Sequence, residues 1–154
     1  MSETTLRVRD ARPEDAATIA AFNQAMALET EHKRLDPELL EHGVRAALAD
    51  PERAFYLVAE RGSEVAGCLM VTREWSDWRN GFFWWIQSVY VAPAQRRQGV
   101  FGALYRALQS RAEADSTVCG LRLYVETLNR PAQATYRALG MEPAGYLVYQ
   151  DLFR

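Results

Sequence analysis

The sequence predicts a mixed α/β fold, with a central sheet of about seven strands and roughly four flanking helices. Three observations carry that prediction. Apolar strand-like runs interleave with segments whose apolar residues recur at helical spacing, in the order β-α-α-β-β-β-α-β-α-β-β. The stretch from Phe82 to Val91 is apolar on both faces, the pattern of a central strand covered by helices on each side. No linker, repeat or low-complexity segment divides the 154 residues, so residues 1–154 read as a single domain.

Leu6 to Arg9 alternates and opens the sheet. Pro13, Glu14 and Asp15 start a helix, where proline and acids suit the free N–H groups and the helix dipole. Ile19, Phe22 and Met26 make its inner face, and a polar stretch from Leu28 to Arg34 comes next. Asp36-Pro37 opens a second helix with Leu39, Leu40, Val44, Ala47 and Leu48 on one face, and Asp50-Pro51 ends it. Phe55 to Ala59 and Val65 to Thr72 form a hairpin around Arg61-Gly62-Ser63. A polar, tryptophan-bearing loop from Glu74 to Gly81 leads into the long strand. That strand sets Phe83, Trp85, Val89 and Val91 on one face and Phe82, Trp84, Ile86 and Tyr90 on the other. Val100, Leu104, Ala107 and Leu108 mark the next helix, and Cys119 to Val125 the next strand. Asn129 is a candidate N-cap for a helix carrying Ala132, Tyr136 and Leu139, with Gly140 just past its end. Met141 to Tyr146 and Val148 to Phe153 complete the sheet.

Composition narrows the function. Hydrophobic residues are 49% and charged residues 25%, as in ordinary globular proteins. A net charge of -2 gives no basic excess, which argues against a nucleic-acid partner. Cys68 and Cys119 are in no Cys-x-x-Cys pair and lie far from His32 and His42, so no metal site is expected. Two free thiols suit a reducing, cytoplasmic setting. Met1 to Asp10 is polar and lacks the apolar core of a signal peptide, and no run is long enough to span a membrane.

The chemistry concentrates after the long strand. Val89-Tyr90-Val91-Ala92-Pro93-Ala94-Gln95-Arg96-Arg97-Gln98-Gly99-Val100-Phe101-Gly102-Ala103 reads as strand, proline turn, basic glycine-bearing loop and helix start. The first turn of a helix has unpartnered N–H groups at the positive end of its dipole. Glycine lets backbone approach a ligand closely, so a pyrophosphate fits here. The bland alternative is a solvated basic loop.

Arg96-Arg97-Gln98-Gly99-Val100-Phe101-Gly102 resembles the acetyl-CoA-binding motif of the GNAT N-acetyltransferase superfamily, Gln/Arg-x-x-Gly-x-Gly/Ala. Phe101 departs from it, standing where the second Gly/Ala belongs. Asn129-Arg130-Pro131-Ala132-Gln133-Ala134-Thr135-Tyr136-Arg137-Ala138-Leu139-Gly140-Met141 resembles the family's Asn-x-x-Ala-x-x-x-Tyr-x-x-x-Gly-Phe segment. The resemblance covers residues 85 to 145. It implies the GNAT fold, with a V-shaped opening between central strands, and acetyl transfer from acetyl-CoA to an amine. It implies that Gln98 to Ala103 hold the pyrophosphate, with Arg96 and Arg97 adding charge. Val89, Tyr90 and Val91 would line the pantetheine arm, and Asn129 would contact the cofactor or order a water, beside its N-cap role.

Tyr136 matches the family tyrosine read as general acid to the leaving thiolate, although a packed helix residue is its plain alternative. Gln87 and Ser88 stand where many relatives keep a glutamate base. Neither can serve as a carboxylate; a water held by them would take the proton, or Glu126, which reads equally well as a surface residue. The acceptor pocket is expected from Glu29, Glu31, Trp75, Asp77, Trp78 and Trp85, since acids with aromatic faces suit a cationic amine. The alternative is that the acids are solvated and the tryptophans pack a core. The N-terminal half is loosely similar to di- and polyamine acetyltransferases. The reaction expected is therefore acetylation of a primary amine of a small molecule. A non-catalytic acyl-CoA-binding module and a protein or peptide N-acetyltransferase are the alternatives. Tyr146, Tyr149 and Phe153 are candidates for a homodimer interface or for an ordinary core face.

Overall fold

Among the described residues up to Tyr124, five strands and three α-helices form where apolar pattern and turn residues agree. The computed structural model describes residues 5–154; the start of the polar N-terminal run, residues 1–4, lies outside them. The chain divides into two compact units, one ending at Tyr124 and the other Val125–Arg154.

In the first unit, β1 (Leu6–Asp10) leads through a 3-10 turn, Pro13–Asp15, into α1 (Ala16–Glu31). The helix continues into the polar stretch, through Leu28 to Glu31, and stops where His32 takes a left-handed conformation. α2 (Pro37–Ala49) starts as predicted, with the Asp36 carboxylate accepting from the N–H groups of Glu38 and Leu39 at 3.0 and 3.2 Å. β2 (Phe55–Arg61), β3 (Glu64–Ser76) and β4 (Gly81–Val91) form an antiparallel meander. α3 (Val100–Ala114) then returns the chain to β5 (Val118–Leu123), parallel to β4. The sheet order is β1-β2-β3-β4-β5, a mixed sheet with four antiparallel strands and one parallel crossover.

Alternation assigns the two faces. Tyr56 and Val58 sit opposite Met70 and Cys68 and pack with Ile19, Val44 and Ala47 of α1 and α2. Leu57 and Leu69 point the other way. On that face an added Cβ at Gly67 would lie 3.0 Å from Val100, so glycine permits α3 to close onto β3. Leu104 and Leu108 of α3 are fully buried.

Two expectations for this unit change. Glu74, Trp75 and Ser76 belong to β3, which reduces the predicted loop to a turn at residues 77–80. The cross-strand contact of Trp75 with Phe82, ring centroids 4.9 Å apart, explains the longer ladder. The second change is in β4. Cys68 pairs with Tyr90 and Met70 with Gln87, so Leu69 alone faces both Ser88 and Val89. This is a β-bulge, with Ser88 at φ 53°. One extra residue reverses the alternation beyond it. Tyr90 therefore shares the face of Cys68, with α1, and not that of Ile86, which pairs with Val71.

In the second unit, α4 (Arg130–Ala138) forms as predicted, and the Asn129 side chain accepts from the Ala132 N–H at 3.1 Å. Among the described residues the sheet has five strands, however, and not about seven: residues 141–154 form no strand. A strand requires a neighbouring strand to satisfy its backbone groups, and apolar alternation in the sequence supplies none by itself.

Candidate functional site

The bulge marks the point where the sheet opens. The parallel ladder between β4 and β5 ends at Ile86 with Leu123, yet β4 continues to Val91. Gln87, Ser88, Val89, Tyr90 and Val91 thus lie beyond the last β5 pairing, an edge able to exchange hydrogen bonds with an extended ligand. A further 3-10 turn, Pro93–Gln95, comes next, and then the basic loop.

Backbone shape in that loop is exacting. Arg97 has φ 63° and Gly99, the N-cap of α3, has φ 78°. Glycine adopts such a conformation without a Cβ penalty. No side chain caps α3, and its first backbone bond is from the Ala103 N–H to the Gly99 carbonyl at 3.0 Å. The N–H groups of Val100, Phe101 and Gly102 precede that bond, at the positive end of the helix. A Cβ at Gly99 or Gly102 would meet no atom within 4 Å, so both positions adjoin open space. Gln98 folds back with its amide donating to the Ala94 carbonyl at 3.0 Å. Phe101 leans toward Tyr105 on the next turn, ring centroids 6.2 Å apart.

Arg96 and Glu29 meet at this loop. The Arg96 guanidinium donates to Glu29 at 2.7 Å and to the Val91 carbonyl at 3.0 Å, and it lies 5.4 Å from the centre of the Tyr90 ring. The Tyr90 hydroxyl donates to the other Glu29 oxygen. These hydrogen bonds, Tyr90's first and Arg96's second, hold the Glu29 carboxyl below its ordinary value. Desolvation and then the Glu29 bond push the Tyr90 phenol up. The reversal of faces at the bulge is what brings Tyr90 to α1, where it also packs on Phe22 at 5.1 Å.

A cavity of about 400 Å³ opens beside the bulge, lined by Ser88 together with Asn23, Leu35, Asp36, Leu40, Val44, Tyr56 and Met70 among others. Its walls are α1, α2 and strands β2 to β4. Burial, and then the nearby Cys68, push the Tyr56 phenol up to about 12. Asp36 is the only carboxylate on the lining among the described residues, and it is engaged in capping α2. Gln87 donates to the Thr72 hydroxyl on β3. The Cys68 thiol, raised by burial to about 12, donates weakly to the Ser88 carbonyl at 3.9 Å.

The remaining predicted residues fall elsewhere. Trp75, Asp77 and Trp78 are at the β3–β4 hairpin tip, with Trp78 87% exposed. Glu29 is tied to Tyr90 near the other end of β4, about 27 Å away at the rise of a strand. Trp85 donates its indole N–H to Glu74, which also pairs with Arg122. Glu31 is exposed at the end of α1. The structure therefore brings together residues 87–91, 96–103 and Glu29, and separates them from the tryptophan-rich tip. Asn129 and Tyr136 belong to the second unit; Tyr136 is half-buried, and desolvation pushes its phenol up. Asn23, Tyr56 and Met70 escaped sequence reasoning because each reads as an ordinary inward position. The one available signal was Asp36-Pro37, which fixes the start of α2 and so the cavity mouth.

The comparisons with known proteins accord with this geometry. The model of the acetyltransferase (GNAT) family matches residues 18–141. A solved structure described as a possible acetyltransferase from Clostridium difficile 630 is 43% identical, covering 97% of this chain and 98% of that one, with a TM-score of 0.91. A transcriptional regulator from Bacillus halodurans C-125 shares the fold at 20% identity, covering 97% and 100%, TM-score 0.82. So does a predicted acetyltransferase of Clostridium acetobutylicum solved with acetyl-CoA, at 16% identity, covering 96% of each chain, TM-score 0.76. No curated protein matches the sequence. With a family model that spans most of its length and a relative of such high identity, the chain belongs to the GNAT family of acetyltransferases.

Proposed function

We propose that this acetyltransferase takes its acetyl group from acetyl-CoA and transfers it to a primary amine of a small molecule by direct attack. The observation that carries the reading is the open edge of β4 beyond Ile86, which leads through the Pro93–Gln95 turn and the basic loop to the uncapped start of α3. Acetyl-CoA, when bound, supplies the acetyl thioester. The first-turn N–H groups of α3 would hold its pyrophosphate, with Arg97 adding charge from a loop of fixed shape. Arg96 acts chiefly as a tether, since Glu29 and the Val91 carbonyl already engage it. Backbone groups of Val89 and Val91 would align the pantetheine arm.

The acceptor enters the cavity beside Ser88. That cavity is mainly apolar, with Asn23 and Tyr56 as polar points, which fits a small amine with an apolar body. The lining carboxylate, Asp36, is committed to a helix cap, so the amine's proton passes to water near Ser88. Tyr136 donates to the leaving thiolate; this role rests on the motif from Asn129 to Gly140. The C. acetobutylicum structure with acetyl-CoA supports the cofactor by shared fold alone.

The test is thiol release from acetyl-CoA against a panel of small primary amines, with aminoglycosides and peptides as further acceptors. Turnover is expected with small amines. Tight binding of acetyl-CoA with no turnover on any acceptor would instead identify a binding module, and turnover on peptides alone would move the acceptor class.

A further inference from the structure

We infer that Tyr56 and Asn23 are the specificity end of the acceptor cavity, and that the acceptor they select is an amino alcohol. Its amine reacts beside Ser88 while its hydroxyl accepts from Tyr56 and donates to Asn23. The inference rests on the acceptor cavity proposed above and names what that cavity selects. Both residues line it, and both are more than nine-tenths buried, Tyr56 at 4% exposure and Asn23 at 8%. The Asn23 side chain donates to the Ile19 carbonyl at 3.0 Å. The atom facing a carbonyl must be the amide nitrogen, which leaves Oδ1 as an acceptor. Among the described residues nothing donates to that oxygen, and the Tyr56 hydroxyl makes no hydrogen bond. Also among the described residues, no fully enclosed side-chain nitrogen or oxygen lacks a partner. Both atoms therefore open onto the cavity and are not shut inside the core.

Two such atoms serve no packing purpose. Asp15, as buried as Asn23, shows the contrast, since Arg9 and the Arg12 N–H satisfy it. A buried polar group without a partner costs about 1–3 kcal/mol, which phenylalanine and leucine at these two positions would avoid. A ligand that brings the missing partners offsets that cost. A neutral phenol has an O–H to donate, whereas the Asn23 oxygen only accepts. The ligand group must therefore accept and donate at once, and a hydroxyl does both. A carboxylate has nothing to donate, and a methyl group satisfies neither atom. An ammonium would serve Asn23 but would bring its charge to a cavity whose lining carboxylate, Asp36, is exposed and caps α2.

The sheet sets the length of the acceptor. Tyr56 on β2 stands opposite Met70 on β3, and Met70 opposite Gln87 on β4, next to Ser88. Two strand spacings make about 10 Å. The amine beside Ser88 and the hydroxyl at Tyr56 are separated by less than that, because the tyrosine side chain takes up part of the distance. A chain of three to six carbons spans the remainder. Leu35, Leu40, Val44 and Met70 supply the apolar wall along its methylene groups.

The experiment compares kcat/KM of the full chain, with acetyl-CoA, on three matched series. These are amino alcohols of three to six carbons, the alkylamines with methyl in place of the hydroxyl, and the diamines with a second amine in its place. At the best chain length the amino alcohol should exceed its alkylamine by roughly tenfold or more, since the methyl leaves both buried atoms unmet. Tyr56→Phe removes only the hydroxyl and should bring that ratio close to one, a change between two substrates that altered packing alone would not produce. A wild-type ratio near one overturns the inference, as does a ratio that Tyr56→Phe leaves unchanged. A diamine that outruns the amino alcohol also overturns it and makes the pair a cation site. Should no amine turn over, acetyl transfer to small amines fails as a reading, and calorimetric titration of the same compounds decides the inference separately. Tighter binding of the amino alcohol than of its alkylamine, lost in Tyr56→Phe, upholds the hydroxyl site; equal binding, or none, overturns it. Should the variant fail to fold, the wild-type ratios decide alone.

Discussion

Gly99 bears the strictest demand of any single residue in the site. Its φ of 78° costs a β-branched residue roughly 1–3 kcal/mol, although no neighbour would clash with the new side chain. Gly99→Val should therefore leave the fold intact and distort the loop. The KM for acetyl-CoA should rise by roughly tenfold or more, since each ~1.4 kcal/mol of lost binding is tenfold. Arg111→Ala, which removes an exposed pair with Asp10, should leave it nearly unchanged, and equal effects would count against the site. Tyr136 is a second case. Tyr136→Phe keeps the ring and removes only the hydroxyl. A fall in kcat of roughly 10²-fold is expected with little change in acetyl-CoA binding, measured by steady-state kinetics beside a direct titration. A rate within a few-fold of wild type would make Tyr136 a packing residue. Glu29, an acid expected from its type to meet a cationic acceptor, is held by Tyr90 and Arg96, an arrangement that residue type alone does not reveal.

Elements were legible where local pattern and tertiary need agree. Asp36-Pro37 predicts the start of α2 to the residue, and the Asn129 cap and α3 likewise arise from local chemistry. The loop after β4 was legible from its arginines and glycines. The bulge was not, because an extra residue in a ladder is a property of two strands, and Ser88 carries no sign of it. Its consequence, the reversal that sends Tyr90 to α1, was therefore hidden, and so was the cavity beside it. The strands expected from Met141 onward were read from apolar alternation, which states a preference but supplies no partner. One junction between elements makes a further prediction. Asp15, 8% exposed, receives both guanidinium arms of Arg9 at 2.8 and 3.0 Å and the Arg12 N–H at 2.7 Å, which ties the entry of α1 to β1. The Arg9 bond, foremost, holds its carboxyl below the ordinary value of 3.8. A depressed carboxyl contributes stability above the unfolded-state pKa and loses it as pH falls through the folded-state pKa. Asp15→Asn should therefore cost about 2 kcal/mol in urea unfolding at pH 7, and the gap should narrow progressively once the pH drops below 3.8.

At the scale of the whole molecule, the first unit joins a sheet that opens at Ile86, a helix that starts uncapped at Gly99, and a cavity that reaches Ser88. The bulge links the three, since it interrupts the ordinary ladder and reorients the residues beyond it. Among the described residues no helix is long and apolar enough to cross a membrane, and no cluster of metal-ligating side chains occurs. The proposed chemistry draws on backbone groups, a few polar side chains and the cofactor. Its central claim is that acetyl-CoA lies along β4 beyond Ile86 with its pyrophosphate on the first turn of α3. Amide hydrogen exchange of the full chain, with and without saturating acetyl-CoA, tests this most directly. Slowed exchange is expected at residues 89–91 and 98–103, with residues 82–86 unchanged because β5 already pairs them. Saturable binding that leaves residues 89–91 and 98–103 unprotected would contradict it.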